Sequence, residues 1–192
     1  LGVHVDGGMQ DYFIYPAKFL HPSSTLSGDQ LVMVEPLAIG SHAVAREQIQ
    51  KEDIVLVIGA GPIGLGTILF AKLSGARIIV MDIDNSKIEK CKKLTGISET
   101  INANGDVCTI LKQMLNGDLP TIVLDATGSA NSMMNTFTYM GAGGTLVFIG
   151  LFTGEVAFNA PNLSKKEMTV QRRRTSMSAR FKKLIHMVTS VN

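Results

Sequence analysis

The chain has 192 residues, 45% of them hydrophobic, with a formal net charge of +2 at pH 7. This is enough apolar material for one full core, or for one domain plus part of another, and it excludes global disorder. The near-neutral charge gives no electrostatic footprint for nucleic acid or an anionic membrane as partner, and no apolar run approaches the ~20 residues that span a bilayer.

Two cysteines, Cys91 and Cys108, make neither a disulfide framework nor, alone, a zinc site. A reducing cytoplasm is therefore the expected compartment. The chain opens at Leu1 in strand-like sequence, with no signal peptide visible. Residues 1–35 read as the remnant of a β-rich neighbour in a longer protein, and residues 36–50 as a bridging helix, Pro36 to Ile49. From Lys51 to the end, short apolar runs alternate with longer amphipathic ones, the pattern of βαβ units on a parallel sheet.

The first strand is the continuous apolar run Ile54 to Ile58, as a strand covered on both faces requires. A helix follows from Pro62 to about Ser74, with Pro62 at a first helical position and Gly75 at the stop. Arg77 to Met81 is the second strand. Its helix is expected to open at Ser86, with Glu89 three positions on as a capping box, and to close on Lys90, Lys92, Lys93 and Gly96. Thr100 to Asn102 is a weaker third strand, and Asp106 to Asn116 carries apolar residues at helical spacing. Thr121 to Asp125 is the fourth strand, Ser129 to Met140 a helix, Thr145 to Ile149 the fifth strand, Met168 to Arg172 the sixth, and Phe181 to Val188 a final helix. Met133 and Met134 read as core filling. The fold class is α/β, a doubly wound parallel sheet of order 3-2-1-4-5-6.

Gly59-Ala60-Gly61-Pro62-Ile63-Gly64 is a G-x-G-x-x-G that follows a buried strand and opens a helix. Gly59 permits the tight turn, Gly61 lets the backbone approach a pyrophosphate, and Gly64 lets helix and strand pack closely. The free N–H groups at the helix start suit phosphates. Asp82 stands about 20 residues onward, at the end of the second strand, where an acid accepts both ribose hydroxyls and repels a 2′-phosphate. No Arg follows it in Ile83-Asp84-Asn85, so the pattern favours NAD over NADP. The alternative is that Asp82 only caps the next helix. Ligands bind such sheets at the carboxyl ends of the strands. That nominates Ala126, Thr127 and Gly128 after strand four and Gly150, Leu151 and Phe152 after strand five, each with a plain tight turn as the alternative.

Asp6-Gly7-Gly8 through Tyr12, Val34-Glu35-Pro36-Leu37-Ala38-Ile39-Gly40, Ser41-His42-Ala43 and Val57 to Gly64 together resemble the medium-chain zinc-dependent alcohol/polyol dehydrogenases, the sorbitol, threonine and galactonate dehydrogenase branch above all. The resemblance covers nearly the whole chain and implies more of it upstream. In that family a GroES-like domain supplies the catalytic Cys and the His-Glu zinc ligands, which this chain lacks. Residues 1–35 look like the tail of that domain, and residues 51–192 like the NAD-binding domain. Glu35 matches a late zinc ligand of the family; the alternative is an ordinary acid at the start of the helix before Pro36. His42 is not a ligand there and reads as packed or capping. Arg174 aligns with an Arg near the cofactor, whereas Arg172 and Arg173 depart from the pattern and read as a solvated edge.

The resemblance implies hydride transfer between an alcohol or polyol (sugar-acid) substrate and NAD, zinc in the full-length parent, and this chain inactive alone. It also implies a homo-oligomer contact through the edge of the sixth strand. Two rival readings stand beside it: a non-catalytic dinucleotide-binding module, and an NADPH-dependent, zinc-free quinone-reductase-like protein.

Overall fold

Ile54–Ile58, the strand β1, is apolar at every position and buried from Val55 onward. It lies at the centre of a sheet because both its faces must be covered. A computed structural model describes residues 5–158, 160–172 and 178–189. Around β1 stand β2 (Arg77–Asp82), β3 (Thr100–Asn102), β4 (Ile122–Asp125), β5 (Thr145–Phe148) and β6 (Thr169–Arg172). All pairs are parallel, in the order β3-β2-β1-β4-β5-β6. The crossovers are α2 (Pro62–Lys72), α3 (Asn85–Thr95), α4 (Val107–Met114), α5 (Ala130–Thr136) and α6 (Ala160–Lys165); α1 (Gly28–Glu47) precedes the sheet and α7 (Ser178–Thr189) follows it.

The two-residue period of β1 divides the core. Val55 and Val57 pack with Ile68 and Ala71 of α2 and Cys91 of α3. Leu56 and Ile58 pack with Leu111 of α4, Phe137 and Met140 on the other face. Each such aliphatic side chain contributes roughly 1.5–3 kcal/mol by burial. A third, smaller cluster joins Val34 and Ala38 of α1 to Leu184 of α7. Helices α1 and α2 cross where glycine lets the backbones touch: a Cβ on Gly40 would lie 2.6 Å from the Thr67 nitrogen.

The structure differs from the sequence reading at several element ends. The helix expected from Pro36 begins at Gly28, and Pro36 lies inside it. Ser27 caps it: its hydroxyl accepts the Gln30 N–H at 3.3 Å, and the Gln30 side chain accepts the Ser27 N–H at 2.9 Å. This capping box satisfies two of the orphan donors at the helix start. Glu35 therefore sits mid-helix and not at a helix start. Ser86 likewise does not cap α3. Asp84 does, accepting the Ser86 N–H at 2.8 Å, and Glu89 pairs instead with Lys92 at 2.7 Å. Helix α5 stops at Thr136, and the N–H groups of Thr138 and Tyr139 beyond it bond to carbonyls three residues back. The short α6 and a 3-10 turn at Ala17–Phe19 were not expected from the sequence. The final helix is longer than Phe181 to Val188. Met133 is buried, as expected of core filling, and Met134 half so.

Ser27→Ala removes one half of the α1 capping box and should cost about 1 kcal/mol. Thermal denaturation would show this as a drop of roughly 2–4 °C. An unchanged midpoint would mean that packing, not the cap, sets where α1 begins.

Candidate functional site

The turn from β1 to α2 gives its three glycines different surroundings. Gly59 has φ +96°, a conformation that side chains rarely adopt. A Cβ on Gly64 would lie 1.7 Å from the Gly59 carbonyl oxygen, so helix and turn are in direct backbone contact. A Cβ on Gly61 would meet nothing within 4 Å. That position faces open space, with the first turn of α2 behind it.

Asp82 ends β2 and is 7% exposed. Its Oδ2 accepts the Ala60 N–H at 2.7 Å and its Oδ1 the Asp84 N–H at 2.9 Å. One carboxylate thus ties the glycine turn to the second strand and holds the start of the β2–α3 loop. It does not cap α3; Asp84 does that. A carboxylate offers about four acceptor sites, so two remain for a ligand.

Asp125 ends β4, the strand beside β1, and is fully buried. Its Oδ1 accepts the Thr127 N–H at 2.8 Å and the Thr127 hydroxyl at 2.6 Å, and its Oδ2 accepts the Ser132 hydroxyl at 2.6 Å. Burial pushes the carboxyl above its ordinary range, and the Ser132 and Thr127 donors pull against that.

A cleft of about 460 Å³ opens at the carboxyl ends of β1, β2 and β4. This is where the strand order reverses and where open α/β sheets take ligands. The structure brings Gly59, Gly61, Asp82, Ile83, Ala126 and Thr127 of the expected site together in its wall. Pro62, Ile63, Gly64, Gly128, Gly150, Leu151 and Phe152 do not line it. Gly128 and Gly150 instead let the turns after β4 and β5 meet, since a Cβ on Gly150 would lie 2.2 Å from the Gly128 nitrogen. Ile63 packs against the core, and Leu151 is 68% exposed. Arg173 and Arg174 fall outside the described residues; Arg172 ends β6, exposed, as a solvated edge residue would be.

The cleft also holds residues the sequence reading passed over. Lys87 in the first turn of α3 is a cation lining the same cleft as Asp82 and Ile83. Ser129, Ser132 and Asn135 line it from α5 and its cap, at a spacing of three that marks one helical face. Tyr139 closes the wall, its hydroxyl pushed above its ordinary range by burial first, then by Cys108 and Asp106. The spacing of three was the signal available; it was hidden because the α5 segment was read for its apolar side.

Glu35 is exposed on α1, and His42 lies half-buried further along the same helix. Among the described residues no group of three His, Cys, Asp or Glu side chains is placed to hold a metal ion. The described residues therefore do not fit a zinc ion by themselves, because one carboxylate cannot anchor it.

A parallel sheet of this order, with a glycine-rich turn after its central strand and a cleft at the switch point, is a Rossmann-type domain. The chain belongs to the zinc-binding dehydrogenase family, which it matches over residues 62–190. It is 36% identical over 184 residues to the L-galactonate-5-dehydrogenase of Escherichia coli K12, covering 96% of this chain and 54% of that protein. It is 30% identical over 174 residues to the sorbitol dehydrogenase of Halalkalibacterium halodurans, covering 88% of this chain and 51% of that protein. The structure superposes with a TM-score of 0.85 on an alcohol dehydrogenase from Escherichia coli CFT073 complexed with NADH, 27% identical, covering all of this chain and 57% of that one. The chain spans about half the length of the relatives it matches.

Proposed function

We propose that this chain is the NAD-binding domain of a zinc-dependent oxidoreductase that moves hydride between an alcohol or polyol, sugar acids included, and NAD. The observation that carries the reading is the cleft itself: an open glycine turn and a strand-end carboxylate, tied together by the Ala60 N–H, stand side by side in its wall. The open backbone at Gly61 and the N–H groups at the start of α2 receive the pyrophosphate. Asp82, with acceptor capacity left on both oxygens, receives the adenosine ribose hydroxyls and repels a 2′-phosphate, so the choice is NAD over NADP. Lys87 supplies a cation beside that ribose. Ala126 and Thr127 form the opposite wall, and the turn Gly150 to Phe152 extends it toward the reacting ring. When bound, the nicotinamide accepts and returns hydride; the residues of this chain place it.

The chain's own residues do not complete the zinc site, so no metal-dependent step is assigned to it. We take Glu35 as one ligand of a site finished by another part of the protein, and the chain alone as inactive. The solvent-facing Met9, Tyr12 and Ile14, between 89% and 102% exposed, support a further part of the protein covering the segment before α1. Residues 1–35 then belong with that part and residues 51–192 form the cofactor domain. The β6 edge is the surface we assign to a homo-oligomer. Two unpaired cysteines fit a cytoplasmic setting.

The test is a thermal-shift titration of the chain with NADH and, separately, NADPH. Ligand at 100 times its Kd stabilises by about 2.7 kcal/mol, or roughly 5–10 °C here. A rise with NADH alone is expected. A larger rise with NADPH would overturn the role given to Asp82, and no rise with either would overturn the dinucleotide site.

A further inference from the structure

We infer that Asp125 is a positioning residue that fixes Ser132 as a hydrogen-bond acceptor on the cleft wall, so that this wall reads the amino group of adenine and rejects a base carrying a carbonyl there. The inference rests on the proposed dinucleotide site and names what one part of that site recognises.

A serine hydroxyl ordinarily turns to suit its ligand, giving a proton or accepting one. Ser132 cannot. Its proton is committed to Asp125 Oδ2 at 2.6 Å, inside the fold, while the residue lines the cleft. An ionised carboxylate only accepts, and Asp125 accepts two further donors, the Thr127 N–H and hydroxyl, on its other oxygen. Thr127 is committed in the same sense. Its hydroxyl donates to Asp125 and its oxygen is already used by the Ser129 N–H at 3.1 Å. No donor among the described residues reaches Ser132 Oγ, so its acceptor capacity is left for a ligand.

The other polar side chains on this wall carry no such commitment. Asn131 and Asn135 each present both a carbonyl and an amine and turn to match either partner. Ser129 Oγ accepts the Ser132 N–H and keeps its proton free to donate. Ser132 is therefore, among the described cleft-lining side chains of this helix, the one whose polarity the fold has already set. The adenosine half of the dinucleotide presents two kinds of donor to a cleft of this kind, ribose hydroxyls and the adenine amine; the molecule's third donor, the carboxamide amine, sits on the nicotinamide at its other end. Asp82 is the proposed partner of the hydroxyls, which leaves the amine for the acceptor on the opposite wall. A carbonyl in its place would set acceptor against acceptor.

The experiment compares the affinity of the 192-residue chain for NADH and for reduced nicotinamide hypoxanthine dinucleotide, which carries a carbonyl where adenine has its amine and a proton on the neighbouring ring nitrogen. The parent chain should bind the hypoxanthine form roughly tenfold more weakly. Ser132→Ala removes the acceptor and should bring the ratio close to one. Asp125→Asn turns the network around: the new amide donates to Ser132 Oγ, the hydroxyl proton swings to the cleft, and the hypoxanthine form should bind at least as well as NADH. A merely structural role for Asp125 would weaken both ligands equally and leave the ratio untouched. Should Asp125→Asn fail to fold, Ser132→Ala decides alone, since alanine suits a half-exposed helix position. Equal affinity in the parent, or a parental ratio in both variants, would overturn the inference with the dinucleotide site left standing. Absence of NADH binding would overturn the site and the inference together.

Discussion

Gly64→Ala should destabilise the domain by about 3 kcal/mol or more, while Gly61→Ala, three residues away in the same motif, should leave it within about 1 kcal/mol of the parent. The difference lies in what each new methyl meets. At Gly64 it would stand 1.7 Å from the Gly59 carbonyl oxygen, and that neighbour is backbone. Gly59 cannot move aside, because its N–H bonds to the Met81 carbonyl at 2.7 Å and its φ of +96° is fixed by the turn. Helix α2 would have to lift from β1, and with it Ile68 and Ala71 from the core. At Gly61 the methyl meets nothing, and φ of −74° suits any residue. The modest cost there is that alanine is a poorer helix N-cap than glycine. The methyl would, however, fill the space proposed for the pyrophosphate. Thermal melts with and without NADH separate the two effects. Gly61→Ala should melt near the parent and lose the NADH-induced rise, an affinity loss of roughly tenfold or more. Gly61→Ala that still responds fully to NADH would show that the phosphates do not approach this turn.

That contrast also shows why the sheet and its glycine turn were legible in the sequence. Ile54–Ile58 is apolar without a break, which only a strand buried on both faces tolerates, and the three glycines follow it at the spacing the turn demands. The chain's α1 was less legible because two local signals compete. Pro36 looks like a first helical residue, yet the capping box at Ser27 and Gln30 starts the helix earlier, and the proline is carried inside a helix packed on α2 and α7. Only part of the cleft was legible, for a similar reason. Gly59, Gly61 and Asp82 belong to one contiguous pattern. Ser132 and Asn135 line the cleft from one face of α5, and Tyr139 from the turn beyond it; their spacing was there to read, but which way that face points depends on the whole fold. Asp125 was read as the end of a strand. Its role as an acceptor for three donors follows from burial, and burial depends on the whole fold.

Asp82→Asn and Asp125→Asn are the same substitution in shape, and they should differ widely in effect. Both carboxylates are nearly or fully buried, and both use each oxygen. Asp82 has two backbone N–H partners, of Ala60 and Asp84, and neither can reverse. An asparagine there can accept only one of them; its amine must face the other, donor against donor. The cost of the unmet donor is about 1–3 kcal/mol, and the glycine turn loses its tie to β2. The Oδ2 partner of Asp125 is the Ser132 hydroxyl, which can turn and accept, while the retained oxygen serves Thr127. Asparagine also carries no charge to desolvate. Burial raises the Asp125 carboxyl, so its ionised form is the costly one in the folded chain. The folded state then binds the proton more tightly than the unfolded state, and the parent gains stability as pH falls through the folded pKa toward the unfolded one. Asp125→Asn should accordingly melt at or above the parent near neutral pH, with its advantage shrinking as pH is lowered across that window. Asp82→Asn should melt lower than the parent at neutral pH, and what binding it keeps should shift toward NADPH, because the charge that repels a 2′-phosphate is gone. Asp82→Asn as stable as the parent would mean that the Ala60 and Asp84 N–H groups find other acceptors, and the turn's geometry would then owe nothing to that carboxylate. An unchanged preference for NADH over NADPH in a folded Asp82→Asn would place the discrimination on the shape of the cleft and not on its charge.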